Sequence, residues 1–86
     1  RSRIDSLDTE LLELLAARME IVKQIGNYKK ANKVTALQID RWSTMMEKRV
    51  SLAENLNLDS FFIKIMFQLI HEDSIRQQSE IMDSDN

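Results

Sequence analysis

Three pairs of polar residues stand on or beside otherwise apolar helical faces: Arg18 with Lys29, Gln38 with Arg41, and Ser74 with Gln78. Together they are cationic and hydrogen-bonding. They include no convincing general base, activated nucleophile or glycine-rich phosphate loop. The chain has no cysteine and a single histidine, which cannot build a zinc site without several carboxylates. No metal and no cofactor is implied. Such a set can bind a small organic anion, and any catalysis it performs should rest on positioning and electrostatic stabilisation rather than on proton transfer.

The first pair breaks a pattern. Ile4, Leu7, Leu11 and Leu14 recur at helical steps of three and four, and the next position of that stripe is Arg18. A guanidinium on a core-facing seam is costly unless it meets an anion. It either snorkels to the helix edge, pairs with a carboxylate, or binds a ligand. Lys29 lies three turns further plus about 20°, on the same face and roughly 16 Å away, so both side chains can reach one small anion. Arg1 is rotated from Arg18 by about 100° and stands roughly 25 Å off along a straight helix. It serves the same site only from a partner chain, and otherwise is a solvated terminal charge.

In the last helix, Ile63, Phe67 and Ile70 lead by the same steps to Ser74 and Gln78. There the helix either emerges into solvent or lines a polar pocket. His71 lies beside this stripe, where a structural or incidental role is the commoner one. Gln38 and Arg41 are one turn apart and face together. Trp42 follows directly, the natural core anchor of its helix.

The elements that must position these groups are helices. Among 86 residues there are no prolines and one glycine, with abundant Leu, Ile, Met, Glu, Lys and Gln. Helix one is expected from about Ser2 to Asn32, helix two from about Thr35 to Asn55, and helix three from a cap at Asp59 or Ser60 until it turns polar near Ser74, with a frayed M-D-S-D-N tail. Gly26 reads as a small residue for close helix packing rather than a break. Thirty helical residues span roughly 45 Å, too long for a compact monomer of this size, and an intertwined dimer is the expected solution. Net charge near −2 lacks the basic footprint of a nucleic-acid binder, and no apolar run is long enough for a membrane span. The absence of cysteine suits the cytoplasm. The chain opens at Arg1 rather than Met, which suggests a single domain, 1–86, of a longer bifunctional protein.

These residues resemble the all-helical chorismate mutases over nearly the whole chain. R-S-R-I-D-S-L-D-T-E-L-L-E-L-L-A-A-R is similar to the family's opening, Q-I-G-N-Y-K to its V-G-x-x-K segment, D-R at 40 and 41 to its helix-two start, and F-Q-L-I-H-E-D-S-I-R-Q-Q to its helix-three end. The order and spacing together are specific, whereas each segment alone is weak. The resemblance implies an all-α fold of three helices with a long first helix, paired as an intertwined homodimer with shared sites. It also implies the Claisen rearrangement of chorismate to prephenate, a step of aromatic amino-acid biosynthesis in the shikimate pathway.

By the same resemblance, Arg18 and Arg1 of the other chain hold the two substrate carboxylates. Lys29 and Gln78 donate to the ether oxygen. Ser74 adds a carboxylate hydrogen bond, Arg41 orders the pocket, and Gln38 takes a place near the substrate hydroxyl. One position departs. Many family members carry a glutamate directly after the helix-two arginine to bind that hydroxyl, and here Trp42 stands instead, a donor only. Weaker substrate affinity is expected before loss of the rearrangement. L-Q-I-D-R-W also looks like mutase domains fused to 3-deoxy-7-phosphoheptulonate synthases. A competing reading is a regulatory domain that binds chorismate or prephenate for a fused enzyme and catalyses little itself.

Overall fold

The computed structural model of the protein describes residues 1–33 and 39–84, with Ile39 and Asp40 as backbone alone. Three helices make up the fold: α1 (Ser2–Asn32), α2 (Ile39–Asn55) and α3 (Ser60–Met82). The bounds of α1 and the end of α2 fall where the periodicity puts them. The expected start of helix two at Thr35 lies outside the described residues.

Each observed end has a local cause. Lys33 closes α1 in the left-handed conformation, φ 56°, and turns its N–H back to the carbonyls of Lys29 and Lys30. At the end of α2, Asn57 takes φ 60°, Leu58 N–H reaches the Ala53 carbonyl at 2.8 Å, and Asn57 N–H reaches Glu54 at 3.1 Å. This paired closure is the Schellman arrangement, and asparagine tolerates its left-handed residue better than most side chains do. Two residues later Asp59 caps α3, its carboxylate accepting from Phe62 N–H at 2.8 Å. Such a cap contributes about 1 kcal/mol. A four-residue connection therefore both stops one helix and starts the next. Helix α3 keeps its regular form past Ser74 to Met82. Lys30 Nζ donates to the Ser84 carbonyl, tying the end of α3 to the end of α1.

Helix α3 lies in the middle and packs on both α1 and α2, while α1 and α2 do not pack directly on each other among the described residues. Gly26 sits inside an unbroken α1 and is buried. A Cβ there would come within 3.1 Å of Ile81 Cδ1 and 3.3 Å of Gln78 Cα. The glycine is thus a point of close approach, and it brings the backbone of α3 down beside Lys29.

The apolar core is small. Only Val22, Ala53 and Ile63 are buried hydrophobic residues among those described, while Leu7 is 63% and Leu14 68% exposed. The chain measures 45 × 30 × 14 Å with a radius of gyration of 15.1 Å. A compact chain of this length would have about 12 Å. Among the described residues no helix is long and apolar enough to cross a membrane.

Candidate active site

A pocket of about 420 Å³ opens where the three helices meet. Helix α1 contributes Arg18, Val22, Ile25 and Lys29, a run of steps of four, three and four that keeps one face. Helix α3 contributes His71, Ser74, Ile75 and Gln78 by the same rule, and α2 contributes Arg41, Trp42, Met45 and Arg49. The volume is in the range of small-molecule sites.

Four of the expected residues meet as two cross-helix pairs. Arg18 donates to Ser74 Oγ at 2.7 Å, and Lys29 Nζ donates to Gln78 Oε1 at 2.8 Å. Ser74 and Gln78 are only 5% and 6% exposed, so the last turns of α3 do not simply emerge into water. They face α1, and Arg18 does not merely snorkel away from the seam.

The direction of each bond matters. The Ser74 hydroxyl donates its hydrogen bond to the Ile70 carbonyl at 2.8 Å, while its oxygen accepts from Arg18. Its hydroxyl must rotate off Ile70 before it can donate to a ligand, and as it stands it orients the guanidinium. Only one of the five Arg18 donors is used on Ser74. Lys29 occupies the Gln78 carbonyl oxygen, so the Gln78 amide NH₂ faces elsewhere as a donor beside the ammonium. Two donors, one charged and one neutral, can then converge on a single acceptor atom of a ligand.

The electrostatics are one-sided. Arg18, Lys29, Arg41 and Arg49 all line the pocket, and no aspartate or glutamate does among the described residues. The Lys29 pKa lies below 10.5, because of burial first and then the charge of Arg41. Burial also lowers the pKa of His71 below 6.5, and Arg18, Arg49 and Lys29 push it the same way against an opposing pull from Glu72. The imidazole therefore senses a positive field and favours its neutral form. It stacks on Trp42 with ring centroids 4.0 Å apart and planes 20° off parallel. Trp42 is thus a wall of the pocket as well as a packing residue. Among the described residues no group of three or more His, Asp, Glu or Cys could hold a metal.

The remaining candidates fall elsewhere. Arg41 lines the pocket from α2 and is exposed. Arg1 is the exposed N-cap of α1 and is not part of this chain's pocket wall. Gln38 lies outside the described residues. Arg49 was passed over in the sequence, although it shares a face with Arg41 two turns before it. A cation next to the Met46 and Val50 stripe reads there as an ordinary solvated charge.

Residues 1–79 match the family model for chorismate mutase type II. The chain belongs to the type II chorismate mutase family. Its relatives include the bifunctional chorismate mutase/prephenate dehydratase of Escherichia coli strain K12, 35% identical over 82 residues. A second is the T-protein of Haemophilus influenzae, 30% identical over 80 residues. A third is the 4-amino-4-deoxychorismate mutase of Streptomyces pristinaespiralis, 26% identical over 80 residues. These matches cover 95%, 93% and 93% of this chain, and 21%, 21% and 62% of the relatives. The chain thus spans about a fifth of the length of the Escherichia coli and Haemophilus influenzae relatives it matches. The second activity named in the Escherichia coli relative is prephenate dehydratase, not the 3-deoxy-7-phosphoheptulonate synthase expected from L-Q-I-D-R-W.

Proposed function

We propose that this domain converts chorismate to prephenate by holding a compact conformer of the substrate and stabilising charge on its breaking ether bond. The observation that carries this reading is the pairing of Lys29 with Gln78 in a pocket lined by three arginines. The rearrangement is unimolecular: a C–C bond forms as the ether C–O bond breaks, and no proton leaves or enters. A site without a general base is sufficient for it. Lys29 and the Gln78 amide donate to the ether oxygen, where negative charge develops in the transition state. Donors already fixed in place favour that charge without having to reorganise.

Arg18 binds one substrate carboxylate and is itself oriented by Ser74. Arg41 adds positive potential at the mouth. Arg1 reaches the site from a second chain. With Trp42 in place of a carboxylate, the ring hydroxyl is left to Gln38 and water. The name of the Streptomyces relative raises a substrate with an amine in place of that hydroxyl. Four cations around the pocket disfavour a further positive charge, so chorismate is the better fit.

A homodimer is supported by the surface the single chain leaves open. Its accessible area is 6959 Å². A compact monomer of this mass would expose roughly 5,300 Å². The excess exceeds the roughly 800 Å² per partner of an ordinary stable interface. It is apolar along the N-terminal half of α1, where Ile4, Leu7, Leu11 and Leu14 lie uncovered. A second copy supplies the matching stripe and carries its own Arg1 to the first chain's pocket. A cytoplasmic setting suits this small domain. The synthase fusion rests on L-Q-I-D-R-W alone, whereas the curated relatives favour prephenate dehydratase as an attached activity.

The test is the decay of chorismate absorbance with the purified domain, alongside the appearance of prephenate. Turnover well above the uncatalysed rate is expected. Tight prephenate binding with negligible turnover would instead identify a regulatory ligand-binding domain.

A further inference from the structure

Arg49 is the pocket cation without an assigned task. It lies on the same α2 face as Arg41 and lines the pocket together with Arg18 of α1. Its guanidinium carbon stands 4.7 Å from the ring centroid of Phe67 on α3. A ring face orients a guanidinium but accepts few of its hydrogen bonds, so the edge donors remain for a planar anion. Among the described residues, the ion pairs are Lys23 with Glu20 and Arg76 with Asp73 and Glu80, none of which involves Arg18, Arg41 or Arg49. The cost of this arrangement is visible. Burial lowers the Arg49 pKa, and the charge of Arg18 lowers it further. Two guanidiniums held within each other's field, with no carboxylate between them, constitute a site whose repulsion an anion would relieve.

We propose that Arg49 is a carboxylate-binding residue of this pocket, presented from α2 over the ring of Phe67 and acting together with Arg18. The identity of its dianionic ligand rests on the mutase reading above. The two carboxylates of the substrate then meet one guanidinium from α1 and one from α2 of the same chain, and Arg1 of the second chain supplements them. Phe67 is a positioning residue, because it fixes the plane in which Arg49 offers its paired donors.

The variant Arg49→Met keeps a long side chain over Phe67 and removes the charge. Its KM for chorismate and its Kd for a bicyclic dicarboxylate transition-state analogue, read by calorimetry, should each rise tenfold or more. Its kcat should fall by a smaller factor. Arg49→Lys should recover part of the affinity, and Phe67→Leu should raise KM less than Arg49→Met does. The decisive comparison uses the two monomethyl esters of the analogue. One ester should bind wild-type protein at least tenfold more weakly than the diacid, yet bind Arg49→Met about as well as the diacid does. An unchanged KM and Kd in Arg49→Met, or the same ester penalty in both proteins, would overturn the assignment. Absence of chorismate turnover in wild-type protein would overturn the mutase reading instead, and the analogue titrations would still decide the role of Arg49.

Discussion

The two halves of α1 are built in opposite senses. In the C-terminal half, Arg18 and Lys29 meet buried polar partners on α3, Val22 is buried, and Gly26 lies close against the same helix. In the N-terminal half the apolar residues are in water, with Leu11 53% and Leu14 68% exposed. Polar groups are inside and apolar groups outside, the reverse of an ordinary domain. One chain thus organises most of a binding site without organising a core to support it. The contrast explains why an excess of exposed apolar surface and a polar pocket occur in one small chain: the pocket half is stabilised within the chain, and the stripe half is left uncovered by it.

That division can be broken on either side. The largest effect is expected from Lys29→Ala, which removes the charged donor and leaves Gln78 with an unmet carbonyl. Removing one donor of this kind costs about 10² to 10³ in turnover. Chorismate decay should fall by that factor while circular dichroism and the sedimentation profile stay as in wild type. Loss of the fold along with activity would show that the pair is structural.

On the other side, Leu7→Glu with Leu11→Glu places charges on the uncovered stripe without touching the pocket. The doubly substituted chain should sediment as a monomer. Its turnover at saturation should fall tenfold or more if Arg1 must come from the second chain, and wild-type specific activity should drop on dilution below the dimer Kd. A monomeric variant of full activity would separate the site from the pairing.

Gly26→Val addresses the seam between the halves. A branched side chain cannot fit within 3.1 Å of Ile81 and 3.3 Å of the Gln78 backbone without moving α3. Overpacking of this kind costs about 1–3 kcal/mol, readable in urea denaturation. KM should change less than kcat, because the displacement is centred on Gln78, the partner of Lys29, one turn beyond the Ser74 that holds Arg18.

The smallest effect is expected at mildly alkaline pH, where only part of the Lys29 population loses its proton. Lys29 must carry its proton to act as a charged donor, and its pKa lies below 10.5. Activity should therefore decline as pH rises through that lowered value, at a less alkaline pH than an exposed lysine would require. A profile of kcat in wild type, flat in Lys29→Arg, checks the sign.

The sequence determined the helices and the faces within each of them. A helix has a fixed rise and turn, so spacing alone puts Arg18 and Lys29 on one side of α1, and Ser74 with Gln78 on one side of α3. Capping chemistry is equally local, which is why Asp59 was legible as a start. The resemblance to the mutases then named which of these groups to watch. What only the tertiary structure decided is which faces of different helices meet. Arg18 finds Ser74 from 56 positions away, and Lys29 finds Gln78 from 49. Trp42 lies against His71, and Arg49 turns into the pocket over Phe67. Apolar burial draws helices together without specifying direction, so the periodicity of one helix carries no record of its neighbour. The close approach of α1 and α3 at Gly26, where a Cβ would come within 3.3 Å of Gln78 Cα, is one such tertiary decision, and it lies beside the Lys29–Gln78 pair.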